Sequence, residues 1–270
     1  MAAAQIKHIA IVTDRYTLLA RFYEAVFGMW TFPGRVEAAA MAVSDGHVGL
    51  NFNLRAPGRQ AGLDHFGFEV EDVDAVIERA MKFPAVDFLR RPSNRPFVGI
   101  SMNDPAGNVF DLAHKDAENR DSVYGNAAPR RQTKRHLTHF LLRAIDPGLL
   151  ATFYRDVFQL NELARKNDEP NYYLSDGTVT MVIGPWKIRD YQGTGIARPA
   201  MDHLGFAVES LEAFERDLRQ LGAANTALAP QSLTATPEHS HRLSLLKTCA
   251  LGRLHLSDPD GVLLDVSEAA

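Results

Sequence analysis

Hydrophobic and polar positions follow a repeating order of strand and helix signals along the chain. A short apolar run at 6–12 predicts a strand, and apolar residues at helical spacing predict a helix over 18–27. Two strand-like runs follow at 41–43 and 48–52, with a turn signal between them. This order indicates a module in which one strand and one helix precede three further strands.

The same order restarts at three later points, beginning at His65, His139 and His203. The second module, for example, opens with a strand-like run at 66–70 and a helical pattern over 73–81. The sequence therefore predicts an α+β fold of four βαβββ modules, paired into two cup-shaped mixed-sheet domains with the helices outside.

A tandem duplication explains this repetition. The segments 18–27 and 149–158 are identical at seven of ten positions, and two further blocks recur in the same order. Those blocks are 64–71 with 202–209 and 104–111 with 258–265. We accordingly divide the chain into a first domain at 1–116, a linker at 117–134 and a second domain at 135–270.

Alternation along the predicted strands places histidines and aspartates opposite the bulky apolar side chains. If the helices cover the apolar face, the polar side chains line the inside of each cup. Each half then offers two histidines and one carboxylate, the ligand mix that divalent transition metals accept. The predicted metal ligands are His8, His65 and Asp111 in the first half, and His139, His203 and Asp265 in the second.

Composition narrows the class of protein. The 270 residues carry a formal net charge of −4, which gives no electrostatic reason to expect nucleic acid or an anionic membrane as a partner. A single cysteine, Cys249, excludes a scaffold held by intrachain disulfides. Neither a signal peptide nor an apolar run long enough to span a bilayer is evident. We expect a cytoplasmic, homo-oligomeric protein that acts on a small molecule.

At this point the chain resembles the vicinal oxygen chelate superfamily of glyoxalases, bleomycin resistance proteins and extradiol ring-cleaving dioxygenases. The resemblance is carried by a Phe-Tyr-x-x-Val-Phe helix, an Asp-His-x-Gly-Phe block and an Asp-Pro-x-Gly turn, each present in both halves. It implies paired modules that form a cup, with metal held by the first strand of each module and the last strand of the second. Those positions are the six residues named above, with Asp where the family usually has Glu.

The number of ligands separates the branches of this superfamily. Glyoxalase I resembles the pattern but adds a fourth ligand, and the matching segments here, 47–53 and 178–184, contain no carboxylate. A three-ligand site is more similar to the extradiol dioxygenases, which implies ring cleavage of a catechol-like aromatic diol with O₂ and Fe²⁺ as the cofactor. The alternatives are a glyoxalase-like lyase or isomerase using Mn²⁺, Zn²⁺ or Ni²⁺, and a non-enzymatic binding protein of the resistance type.

Three histidines of the second half are candidates for proton transfer. His255 lies ten residues before Asp265, where the extradiol family has a tyrosine, and imidazole titrates near neutral pH. His239 and His241 lie in a segment inserted in the second half only. We therefore expect the second half to be the better-developed active site, and Asp265→Ala to abolish turnover.

Overall fold

The computed structural model of the chain describes residues 4–31, 40–90, 99–115, 133–192, 196 and 198–269. The strands and helices given below lie within these ranges. All but the last two residues of the predicted linker 117–134 lie outside the described residues.

The first half forms an eight-stranded mixed sheet with the order β2-β3-β4-β1-β5-β8-β7-β6. Its elements are β1 (Ala4–Thr13), α1 (Tyr16–Phe27), β2 (Trp30–Thr31), β3 (Ala40–Ser44), β4 (Gly49–Leu54), β5 (Gly62–Val70), α2 (Val73–Ala80), β6 (Phe88–Arg90), β7 (Ile100–Asn103) and β8 (Val109–His114). The first strands of the two modules, β1 and β5, pair antiparallel at the centre of this sheet. The last strand of each module runs parallel to its first strand, β4 beside β1 and β8 beside β5.

The second half repeats this arrangement in a seven-stranded sheet with the order β10-β11-β12-β9-β13-β15-β14. Its elements are β9 (His136–Ala144), α3 (Pro147–Phe158), β10 (Asn161–Glu162), β11 (Tyr172–Ser175), β12 (Thr180–Pro185), α4 (Ile188–Tyr191), β13 (Met201–Val208), α5 (Leu211–Ala224), a 3-10 turn (Thr226–Leu228), α6 (Pro237–Lys247), β14 (Leu254–Ser257) and β15 (Leu263–Glu268). Where the first half has β6, the second half has the 3-10 turn and α6. The predicted α+β fold of two cup-shaped mixed-sheet domains is confirmed. Three of the four modules have the predicted βαβββ order, whereas in the fourth the described strands after helix α5 are β14 and β15 only.

Local sequence signals account for the ends of the two matching helices α1 and α3. Helix α1 ends at Gly28, which adopts a left-handed conformation with φ of 66° that glycine tolerates without strain. Helix α3 begins after Asp146, whose side chain accepts a hydrogen bond from the Leu149 backbone N–H. Pro147 occupies the first turn of α3, where the missing N–H is harmless.

Helices α1 and α3 lie outside the cup of their own half, yet between the two sheets of the molecule. At the end of α1, the ring of Phe27 stacks on Phe206 of the second sheet with centroids 4.0 Å apart. At the end of α3, Phe158 stacks on Phe68 of the first sheet, also at 4.0 Å. The apolar faces of both sheets and both helices therefore share one hydrophobic core.

Two buried tyrosine–aspartate pairs join the halves within this core. The Tyr23 hydroxyl donates to Asp258 Oδ2 at 3.2 Å, and the Tyr154 hydroxyl donates to Asp104 Oδ2 at 2.7 Å. Both aspartates belong to the Asp-Pro-x-Gly turns, whose backbone N–H groups they also accept. Burial, reinforced by the charge of nearby Asp260, raises the pKa of Asp258 to about 7.

The Ser-Asp-Gly turns of each half also contact the other half. Asp45 Oδ2 accepts the backbone N–H of Leu137 in β9 at 2.9 Å. Asp176 Oδ2 accepts the backbone N–H of Ile6 in β1 at 2.8 Å. The beginning of each central strand, β1 or β9, is therefore hydrogen-bonded to a carboxylate of the opposite half, which fixes the positions of the two sheets relative to each other.

Candidate metal centres

The first candidate centre combines one side chain from each of three neighbouring strands. His8 on β1, His65 on β5 and Asp111 on β8 project from adjacent positions of the first sheet. The Nε2 atoms of His65 and His8 lie 3.4 and 3.7 Å from Asp111 Oδ2. Ligands bound at about 2.0–2.2 Å to one ion lie roughly 3.0–3.5 Å apart at tetrahedral or octahedral angles. Two imidazoles and one carboxylate at this spacing fit a divalent transition metal.

A glycine makes room for the first histidine. Gly67 pairs with both His8 on β1 and Asp111 on β8, so it lies directly between these two ligands in the sheet. A Cβ atom at Gly67 would lie 2.0 Å from Cε1 of His8, which is far inside van der Waals contact. The second half repeats this arrangement, because a Cβ atom at Gly205 would lie 1.8 Å from Cε1 of His139. The glycine of the Asp-His-x-Gly-Phe block therefore lets the histidine of the preceding module lie flat on the sheet.

The aspartate of the same block orients the second histidine. Asp64 Oδ2 lies 2.7 Å from Nδ1 of His65 and is also paired with Arg59. A carboxylate on Nδ1 fixes the tautomer and leaves Nε2 facing the centre, as is common for metal-bound histidines. Ser101 on β7 donates to the other oxygen of Asp111. Asp64 is a functional residue that the sequence-based prediction omits, although its recurrence at Asp202 is a usable signal.

Neighbouring charges shift the pKa values of two ligands of this centre. Burial opposes the charge on His65, but Asp111 and Asp64 outweigh it and raise the pKa of His65 to about 9. Burial likewise opposes ionisation of Asp111, while His65 and His8 lower its pKa overall. The carboxylate is therefore held in its ionised form, which is the form that binds a cation.

The second candidate centre reproduces the first. His139 Nε2 lies 3.1 Å from Asp265 Oδ2, and Asp202 Oδ2 lies 2.9 Å from Nδ1 of His203. The two imidazole rings are 5.7 Å apart at 86°, against 5.6 Å and 85° for His8 and His65. Nε2 of His203 is buried and has no hydrogen-bond partner among the described residues, so the donor set and its geometry also fit a metal ion.

The second centre is more enclosed than the first. Its three ligand residues are at most 2% exposed, whereas the side chain of His65 in the first centre is 18% exposed. The turn before β14 lies against Asp265, whose carboxylate accepts the backbone N–H groups of Leu251 at 2.6 Å and Gly252 at 2.9 Å. This approach requires glycine, because a Cβ atom at Gly252 would lie 2.3 Å from the carbonyl oxygen of Val266.

A cavity of about 1520 Å³ opens onto the first centre. All three ligands of the first centre line it, together with Ser101 and polar side chains of β4. The opposite wall comes from the second half, through residues 198–202, 231–233 and 260–263 and through helix α6. No ligand of the second centre lines this cavity.

The three candidate proton-transfer histidines lie at different places in the structure. His255 on β14 pairs in register with Asp265, and its Nε2 lies 3.4 Å from Asp265 Oδ1 in the second centre. Burial lowers the pKa of His255 overall, although Asp265 opposes the shift. His239 on α6 lines the cavity of the first centre, whereas His241 is exposed and is not part of that lining.

Comparison with known proteins agrees with this architecture. The sequence profile of the Glyoxalase/Bleomycin resistance protein/Dioxygenase superfamily matches residues 5–112. Residues 5–112 belong to this superfamily. The resemblance inferred from the sequence is thereby confirmed, and the first candidate centre lies wholly inside the matched superfamily region. No curated protein matches the sequence of the chain.

Solved structures share the fold of both halves. The chain is similar to the 2,3-dioxygenase LapB from Pseudomonas sp. KL28, with 15% identity, a TM-score of 0.61, and coverage of 98% of this chain and 92% of that one. It is similar to a Mn(II)-bound glyoxalase from Novosphingobium aromaticivorans, with 14% identity, a TM-score of 0.65, and coverage of 99% and 83%. A catechol 2,3-dioxygenase gives 13% identity, a TM-score of 0.62, and coverage of 98% and 88%. At such identities the likeness concerns the fold.

Across the described ranges, each helix is too short or too polar to cross a bilayer.

Proposed function

We propose that the chain is a metal-dependent enzyme that cleaves the ring of a catechol-like aromatic diol with O₂, and that His8, His65 and Asp111 form its metal centre. The observation that carries the proposal is the convergence of these three donors on the wall of the large cavity. A substrate can reach such a centre, whereas the ligands of the second centre are at most 2% exposed. We therefore revise the preference for the second half that the inserted histidines suggested.

The side chains around the first centre favour three protein ligands over four. Strand β4 runs beside β1 and supplies the cavity with the amides of Asn51 and Asn53, where a fourth carboxylate ligand would otherwise stand. Three ligands on one side of an ion leave coordination positions open on the other side. A divalent iron ion bound there supplies Lewis acidity and a site at which the diol and O₂ meet. Solved structures of 2,3-dioxygenases and of a Mn(II)-bound glyoxalase share this fold at similar TM-scores, so the preference for ring cleavage rests on the three-ligand set.

The surrounding residues have separate roles in this proposal. Asp64 orients His65, and Ser101 holds one oxygen of Asp111 so that the other faces the imidazoles. His239 reaches the cavity from α6 and is our candidate for accepting a proton from a substrate hydroxyl. In ring cleavage by O₂ both oxygen atoms enter the product, so the reaction needs no further reductant.

The reaction class can be tested with purified protein loaded anaerobically with Fe²⁺. We expect O₂ uptake with catechol or an alkylcatechol, accompanied by the absorbance of a ring-opened product. Metal binding without O₂ uptake would favour a lyase or isomerase, which an assay with the hemithioacetal of methylglyoxal would detect. Absence of bound metal at micromolar Fe²⁺, Mn²⁺, Zn²⁺ and Ni²⁺ would contradict the proposal and favour a binding protein.

A further inference from the structure

Helix α6 carries polar side chains of the second half into the cavity of the first centre. His239 and Arg242 are three residues apart, so they lie on the same side of the helix. Both line the cavity, and the side chain of Arg242 remains 17% exposed there. The cavity therefore has an arginine on the wall that is contributed by the opposite half.

Arg242 belongs to a buried cluster in which two guanidinium groups share one carboxylate. Asp202 Oδ1 accepts from Nε of Arg143 at 2.8 Å and from Nη2 of Arg242 at 2.6 Å. The other oxygen of this carboxylate, Asp202 Oδ2, lies 2.9 Å from Nδ1 of His203. Among the residues that the structure describes, no second carboxylate lies within 4.0 Å of either guanidinium.

The remaining ionisable group of the cluster does not restore the balance. Cys249 Sγ lies 3.3 Å from Nη2 of Arg143, but burial raises the pKa of the thiol to about 11, so it is neutral at pH 7. Other carboxylates of the cavity wall have their own partners, since Asp64 pairs with Arg59 and Asp260 with Arg15. Within the cluster, two guanidinium groups therefore share one carboxylate, and Asp190 acts on Arg143 only through its charge, without an ion pair within 4.0 Å among the described residues.

One donor of Arg242 also lacks an acceptor. Its Nη1 atom is buried and has no hydrogen-bond partner in the described part of the chain. Buried donors of charged groups are almost always paired, so this donor is available to an acceptor that enters the cavity. A guanidinium that shares its carboxylate with a second arginine and keeps one unpaired donor suits an oxyanion, and its planar fork matches the geometry of a carboxylate.

We propose that Arg242 binds a carboxylate group of the substrate and selects acidic aromatic diols over neutral ones. The anion site itself rests on the Arg143–Asp202–Arg242 cluster, whereas its role in selecting a substrate rests on the proposed function of the first centre. Arg242 is then a specificity-determining residue that the second half supplies to a reaction in the first.

The anion site can be tested without the reaction. Metal-free protein is titrated by calorimetry with benzoate and with benzamide, which has nearly the same shape but is neutral. Removing the metal ensures that benzoate does not bind to the metal instead of to Arg242. We expect benzoate to bind at least tenfold more tightly than benzamide, and Arg242→Gln to remove that difference. Arg242→Lys, which keeps the charge without the planar fork, should retain part of it. Arg219→Gln, on the exposed face of α5, is the matched control and should retain all of it.

Three results would overturn the proposal. The first is equal binding of benzoate and benzamide by the wild type. The second is unchanged benzoate binding by a correctly folded Arg242→Gln or Arg242→Lys variant. The third is loss of binding only in Arg198→Gln, which replaces a second arginine of the cavity wall. The substrate role is tested by turnover of 3,4-dihydroxybenzoate and catechol, for which Arg242→Gln should lower kcat/KM at least tenfold for the acid alone. If neither diol is turned over while the benzoate preference persists, the proposed function fails and the anion site stands.

Discussion

Replacing Gly67 by alanine would place a methyl group 2.0 Å from Cε1 of His8. Carbon atoms pack at about 3.5–4.0 Å, so the His8 ring would have to move by about 1.5 Å. Gly67 is not among the glycines with positive φ, so the perturbation is a steric effect on the ring and not backbone strain. Metal sites tolerate ligand displacements of only about 0.2 Å, so the variant should lose His8 as a ligand.

We expect Gly67→Ala to weaken metal binding by at least about 100-fold, or about 3 kcal/mol, since second-sphere changes alone reach that range. Overpacking should lower the free energy of unfolding by about 1–3 kcal/mol. Titration of metal-stripped protein with Co²⁺, with thermal unfolding in parallel, measures both quantities. Gly99→Ala is the control, because a Cβ atom there meets no atom of the described residues within 4 Å. Unchanged metal affinity and activity in Gly67→Ala would refute His8 as a ligand.

Three further predictions concern other parts of the molecule. Tyr154→Phe removes a buried hydrogen bond to Asp104 between the halves and should lower the free energy of unfolding by about 1–2 kcal/mol. Urea titrations measure this change, and an unchanged midpoint and slope would contradict the prediction. The pKa of Asp258 is about 7 in the folded protein, so between pH 4 and 7 the folded state holds a proton that the unfolded state has released. The free energy of unfolding should therefore fall by up to about 4 kcal/mol as the pH rises from 4 to 7. Asp258→Asn should remove this part of the pH dependence, and identical profiles for wild type and variant would disprove it. Asp64→Ala should weaken metal binding at the first centre about 10–100-fold by releasing His65, measured by the same Co²⁺ titration, and full affinity would show that Asp64 does not orient the ligand.

The fold and both ligand sets could be predicted because their signals are local and occur twice. Strand alternation around His65 and Asp111 fixed which face each side chain takes, and the same residue types recurred at His203 and Asp265. A single histidine beside an apolar run carries little information. Its recurrence at an equivalent point of a duplicated chain is far harder to explain by structural packing alone.

The difference between the two centres could not be predicted, because it depends on contacts between the halves. Helix α6 has no clear apolar periodicity, and its sequence gives no sign that His239 and Arg242 reach the cavity of the first half. The enclosure of Asp265 depends on a turn whose approach requires Gly252, a close contact between segments that no local pattern specifies. Likewise, helix signals predict α1 but not that Phe27 packs on the opposite sheet.

The most direct test of the account is to compare O₂ uptake by the Fe²⁺-loaded variants Asp111→Ala and Asp265→Ala, with bound iron measured in each. We predict that Asp111→Ala loses the iron of the first centre and that turnover with catechol falls by at least about 1000-fold. Asp265→Ala should keep turnover within about threefold of the wild type once its stability is taken into account. Turnover that survives Asp111→Ala and disappears in a folded Asp265→Ala variant would place the reaction in the second half and contradict the account.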